Sequence, residues 1–182
     1  MKGFHREDRF FSLCGLNCGL CTMHMNGYCP GCGGGEGNQP CKIARCSLEH
    51  GPIQYCFQCE EFPCGQYSPP AMYDSFITKR NQMSDMKKME AVGAEVYAKE
   101  QQDKISILNE LLEQYNDGRK KTLYALSVNL LELEDLRHVV SALRRCTTDG
   151  TDMKTKAAYA TALLKELASE NGIELKLRKK PK

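Results

Sequence analysis

The chain has 182 residues, a formal net charge of +2, 41% hydrophobic and 26% charged residues, and eleven cysteines, a length that allows one domain or two small ones. No stretch approaches the ~20 apolar residues that span a bilayer, and the start MKGFHREDRFF lacks the apolar core of a secretory signal, so the expectation is a cytoplasmic protein with no membrane partner. Residues 1–70 carry five basic against six acidic side chains, which argues against a nucleic-acid partner, because phosphate neutralisation needs clustered positive charge.

The opening stretch to Phe11 mixes charge with Phe4, Phe10 and Phe11 and reads as a short helix or an extended lead-in. From Cys14 to Pro70, glycines (31, 33, 34, 35 and 37) and prolines (40, 52, 63, 69 and 70) break up long elements. The apolar residues there, among them Leu13, Leu16, Leu20, Ile43, Ile53, Phe57 and Phe62, are too scattered to predict a continuous core face. Metal is therefore expected to hold this part together, since structural zinc supplies ~10–16 kcal/mol of apparent binding energy in zinc-finger peptides.

After Pro70 the periodicity becomes helical. Met83, Met86, Met89, Val92 and Val96 recur at three- or four-residue intervals, continued by Ile105, Leu108, Leu112 and Tyr115. The polar run 99–104 is either a solvated stretch of one helix or a break between two, and Asn116, Asp117 and Gly118 read as a stop. A further helix is predicted over 120–130 with Leu123, Leu126 and Leu130 on one face. Another starts at Leu133, carries Leu136, Val139 or Val140, and Leu143, and reaches Arg144 or Arg145. After a polar connection, 147–150, Asp152 is a reasonable N-cap for a last helix burying Ala157, Ala160, Leu164 and Leu167 and stopped at Asn171 and Gly172. Residues 173–177 alternate as a short strand does, before the basic tail 178–182. The predicted fold class is a small irregular cysteine-rich metal-binding module, residues 1–70, followed by a mainly α-helical bundle, residues 71–182.

Ten of the eleven cysteines fall between Cys14 and Cys64. Their order is Cys14-x3-Cys18-x2-Cys21, Cys29-x2-Cys32, Cys41-x4-Cys46 and Cys56-x2-Cys59-x4-Cys64. In a reducing compartment such a cluster binds metal rather than forming disulfides. A Cys-x2-Cys pair turns two thiolates onto one ion, and a second pair completes a zinc tetrahedron at ~2.3 Å; in Cys29-Pro30-Gly31-Cys32-Gly33 the glycines suit such a turn. Ten thiols exceed the eight of two closed sites. One arrangement places Cys29, Cys32, Cys41 and Cys46 on one ion and four of the other six on a second; a cross-braced arrangement fits the spacing equally. The two extra thiols are free, bridge metals, or join His5, His24 or His50 on a third ion, although each lone His reads as a surface residue.

The blocks Cys14-Gly15-Leu16-Asn17-Cys18-Gly19-Leu20-Cys21, Cys29-Pro30-Gly31-Cys32, Cys41-Lys42-Ile43-Ala44-Arg45-Cys46 and Cys56-Phe57-Gln58-Cys59-Glu60-Glu61-Phe62-Pro63-Cys64 resemble the cysteine-rich bacterial and archaeal domain of unknown function family numbered 3795, over residues 12–67. The resemblance implies a metal-binding module of bacterial or archaeal origin and supplies no activity.

The expected function is binding or interaction, with an unidentified protein partner, through a module holding about two zinc ions in four-cysteine sites. One alternative is an iron-sulfur protein with a redox or electron-transfer role, since all-sulfur ligation suits both metals; another is a nucleic-acid-binding regulator. Cys14-x3-Cys18-x2-Cys21 also resembles the cluster motif of radical S-adenosylmethionine enzymes, but helices rather than an alternating strand and helix barrel follow it. The methionine stripe reads as core packing in place of a copper(I) site. No HExxH, phosphate-loop or GxSxG motif occurs, and no catalytic residue is assigned.

Overall fold

In a computed structural model of the chain, residues 1–35, 41–51, 53–68, 72–148 and 150–181 are described. The glycine and prolines at 37, 40, 52, 69 and 70, part of the connection 147–150, and Lys182 lie outside them. The described residues are mainly helical and contain no strand: α1 (Thr22–Met25), α2 (Lys42–Glu49), α3 (Gln82–Val92), α4 (Ala94–Gln114), α5 (Lys121–Leu130), α6 (Leu133–Cys146) and α7 (Met153–Glu170), with short 3-10 turns at Cys18–Leu20, Cys56–Gln58 and Gly65–Tyr67. None of the helices is long and apolar enough to cross a membrane. Two compact units result, Met1–Gln101 with Arg178–Lys182, and Gln102–Leu177.

The first unit contains all ten clustered cysteines and a hydrophobic core. Phe4, Phe11, Leu13, Ala44, Tyr55 and Cys56 are buried together with Met86 and Met89 of α3 and Tyr97 of α4. The expectation of a unit ending near residue 70 therefore differs from this division. The scattered apolar residues of the cysteine-rich part close on one another, as Phe11 on Tyr55 and Phe62 on Tyr67 do, and their core is completed by α3 and the start of α4. Tyr97 is fully buried, its ring 4.9 Å from that of Phe11. The stripe expected along α3 is shorter than its periodicity, because Val92 and Val96 are 42% and 60% exposed. The helix break falls at Gly93 (φ 88°), while the polar run 99–104 lies within α4.

The tail also belongs to this unit. Asp74, whose side chain is fully covered, pairs with the Arg178 guanidinium at 2.9 Å. The two residues also exchange backbone contacts: Asp74 N–H donates to the Arg178 carbonyl at 2.8 Å, and Arg178 N–H to the Asp74 carboxylate at 2.9 Å. The strand expected at 173–177 does not form, and Arg178 is held by this pairing.

In the second unit, α7 packs on α5 and α6. Leu108, Leu111, Leu136, Leu143, Ala160 and Leu164 are fully buried. Of the face expected on α5, Leu126 is buried while Leu123 and Leu130 are half-buried, and every residue from Tyr124 to Asn129 is buried. Lys104, 6% exposed, donates to the Leu131 carbonyl at 2.8 Å, a cation at the C-terminus of α5 where the helix dipole favours it. Asp152 caps α7, accepting from Thr155 N–H at 3.0 Å, and the helix buries Ala157, Ala160, Leu164 and Ala168. Ala168 takes the place expected of Leu167.

Candidate metal centre

The loop carrying Cys14 and Cys18 is set by hydrogen bonds and by one glycine. Ser12 Oγ accepts from Leu16 N–H at 2.7 Å and lies 3.3 Å from Cys14 Sγ. Gly15 has φ +90°, and a Cβ there would stand 2.6 Å from the Gln82 carbonyl oxygen and 2.4 Å from Met86 Cγ, so only glycine lets the loop approach α3 this closely. From α3, Gln82 Nε2 donates to the Cys14 carbonyl at 2.7 Å. Asn17 Nδ2 donates to Asp85 at 2.7 Å, and Tyr97 Oη donates to Asn17 Oδ1 at 3.2 Å. Helices outside the expected module thus position two of its candidate ligands.

Six of the ten cysteines form a neighbourhood around this loop. Burial pushes the Cys18 thiol up, and Cys32, Cys14, Cys21 and Cys29 add to the effect as nearby sulfurs. Burial likewise raises Cys14; Ser12 opposes it and Cys32 and Cys41 reinforce it. Cys32 is raised by burial against the Leu13 N–H and the Arg6 guanidinium. That guanidinium is itself buried, with Arg6 4% exposed. Its Nε donates to the Gln54 carbonyl at 2.9 Å and its Nη1 to the Phe11 carbonyl at 2.9 Å, while Nη2 finds no hydrogen-bond partner among the described residues. The Cys29–Cys32 turn has positive φ at Gly31 and Gly33.

The other four cysteines line one small cavity of about 20 Å³, with Ile43, Ser47, His50, Ile53, Phe62, Gln66 and Tyr67. Cys46 comes from α2 and Cys56 from the 3-10 turn at Cys56–Gln58. Cys59 and Cys64 follow on linked turns: Cys59 N–H donates to the Cys56 carbonyl at 3.0 Å and Tyr67 N–H to the Cys64 carbonyl at 3.1 Å. The Gln58 side chain accepts from the N–H groups of Gln54 (2.7 Å) and Tyr55 (3.0 Å), which fixes the entry to this segment. Burial pushes the Cys56 thiol up to about 12; Tyr67 opposes this, and Cys14, Cys64 and Cys46 add to it. Cys46 is also raised, by burial and then by Cys64, Glu49, Cys59 and Glu61. The Tyr67 hydroxyl is buried and faces the Cys56 sulfur.

All eleven cysteines are free thiols, and Cys146, outside the cluster, is exposed. Among the described residues no three His, Cys, Asp or Glu side chains are gathered as a ready set of metal ligands; the four sulfurs stand around the cavity without closing on its centre. They nonetheless fit a metal chemically: four soft donors face a void the size of one small guest. The proposed grouping of Cys29, Cys32, Cys41 and Cys46 differs from this geometry, which sets Cys46 with Cys56, Cys59 and Cys64. His24 holds the Cys29 carbonyl at 2.9 Å, His5 is exposed, and His50 is exposed yet borders the cavity. Arg6, Gly15, Asn17, Tyr67, Gln82 and Tyr97 carry no spacing signal, so sequence reasoning passes over all six. Comparisons with protein families, curated proteins and solved structures return no match.

Proposed function

We propose that the first unit is a zinc-binding module whose ions are structural and whose biological role is binding a protein partner rather than catalysis. The observation that carries this reading is the placing of ten free thiols in one unit, four of them on a single cavity. Zinc suits all-thiolate ligation and supplies a cross-link with no redox chemistry. Candidate ligands are Cys14, Cys18, Cys21, Cys29, Cys32, Cys41, Cys46, Cys56, Cys59 and Cys64. Membership of the family numbered 3795 forms part of the same proposal and rests on the order of the cysteine blocks.

Anaerobic purification, metal analysis and a visible spectrum test it. The expected result is a colourless protein with about two zinc ions per chain, given four thiolates per ion. A brown protein with iron and acid-labile sulfide in matching amounts would replace this reading with the iron-sulfur alternative. Tight binding to DNA or RNA at low salt, where phosphate attraction is strongest, would replace the protein partner with a nucleic acid.

A further inference from the structure

The geometry points to a self-contained metal site made by Cys46, Cys56, Cys59 and Cys64, in which the Tyr67 hydroxyl donates to the Cys56 sulfur; this rests on the zinc-module reading and deepens it. The other six cysteines serve a separate site.

Four features support the quartet. Its sulfurs come from α2 and from the turns that follow Tyr55, yet border one cavity of about 20 Å³, about the room a single small guest requires. Among the described residues no carboxylate lines that cavity, and Ile43, Ile53 and Phe62 form apolar walls. A hard cation that seeks oxygen ligands therefore finds, among the described side chains, Ser47, Gln66 and Tyr67, whereas a thiophilic ion of the zinc class finds four sulfurs. The turns from Cys56 to Tyr67 are fixed by backbone hydrogen bonds and by the Gln58 side chain, which accepts from the Gln54 and Tyr55 N–H groups.

The fourth feature is Tyr67. The Tyr67 hydroxyl is buried with the Cys56 sulfur as the partner it faces, and a neutral thiol is only a weak acceptor. A metal-bound thiolate is a stronger acceptor, so loading the site strengthens this contact and orients one ligand, as outer-shell donors do in other metal sites. Cys56 also has Cys14 as a neighbour. Separate sites therefore require that Cys14 be dispensable for the ion held by the quartet.

The test uses the full chain loaded with Co(II), then with zinc, with bound metal counted per chain and the thiolate-to-cobalt absorption recorded. C59S and C64S should each remove one ion and leave the remainder, while C14S and C32S should leave the quartet's ion in place; H50A should retain all metal. Tyr67→Phe should keep the full count but release the quartet's ion to a chelator about tenfold faster, in the range expected for an outer-shell partner. This variant keeps the ring in the wall and guards against serine variants that fail to fold. Wild-type protein that binds no metal sinks the zinc-module reading itself. Metal-binding wild type with an undiminished count in C59S and C64S, or loss of all metal from either variant together with C32S, overturns the separate site alone. So does loss of the quartet's ion in C14S or H50A, and an unchanged release rate in Y67F overturns the role of Tyr67.

Discussion

Replacing Tyr97 with alanine removes the side chain by which α4 joins the cysteine-bearing unit. The ring is fully buried, stands 4.9 Å from that of Phe11, and hydrogen-bonds Asn17 at 3.2 Å. Truncating a buried aromatic costs about 3–5 kcal/mol, through lost transfer free energy and the cavity left behind. For a unit of this size that lowers the melting temperature by about 15–20 °C. Tyr97→Phe keeps the ring and deletes only the hydroxyl, and should cost about 1 kcal/mol. Because the helices of both units dominate the far-ultraviolet signal, the useful probe is local. The Cys56 amide, which donates to the Leu13 carbonyl at 2.9 Å, should exchange hydrogen much faster in Tyr97→Ala and only slightly faster in Tyr97→Phe. Amides of α6 and α7 should be unaffected. If Tyr97→Ala leaves exchange at Cys56 unchanged, α4 is not part of that core and the unit ends earlier in the chain.

Gly15→Ala forces a side chain onto a positive-φ position and against the Gln82 carbonyl; strain and overpacking together should cost about 2–5 kcal/mol, read as loss of protection at the same Cys56 amide and as lower metal retention. Asp74 is pulled in two directions, since burial raises its pKa while Arg178 and the Lys79 N–H more than offset that and leave it lowered. Well above about pH 4 the carboxylate is charged whether the chain is folded or not, and the pairing contributes in full. As pH falls below that value the unfolded chain takes up its proton first, so the contribution is lost progressively as pH descends through the folded value. Asp74→Asn should loosen the tail by about 1 kcal/mol at pH 7, a figure discounted because Arg178 is 36% exposed, and should flatten this acid dependence in an NMR titration of the Arg178 amide. Leu164→Ala in the second unit should cost about 3 kcal/mol and leave whatever metal content the wild type shows unchanged in metal analysis.

The helices of the second unit are legible from periodicity because each contributes one apolar face to one core, as the runs around Leu108, Leu136 and Leu164 do. The Asp152 cap is legible for a local reason: its partner is three residues away. The first unit is less readable. Its core joins Phe11 and Leu13 to Met86 and Tyr97, contacts more than seventy residues apart, and no period in the sequence announces such a pairing. The same limit applies to the candidate site. Spacing marks the ten cysteines as candidate ligands, but which of them share a cavity depends on α2 folding back towards the turns at 56–67. The roles of Tyr67 and Arg6 depend on burial, which a sequence without periodicity conceals.

The pairing of Asp74 with Arg178 has a bearing on how the chain is handled. Its last residues rejoin the first unit after an excursion from 102 to 177, so in chain order the helical unit is an insertion within the cysteine-bearing one. A tag or reporter fused after residue 182 is consequently attached to the unit with the thiols rather than to the helices that immediately precede it. Trimming the tail as dispensable would strip Asp74 of its counter-ion.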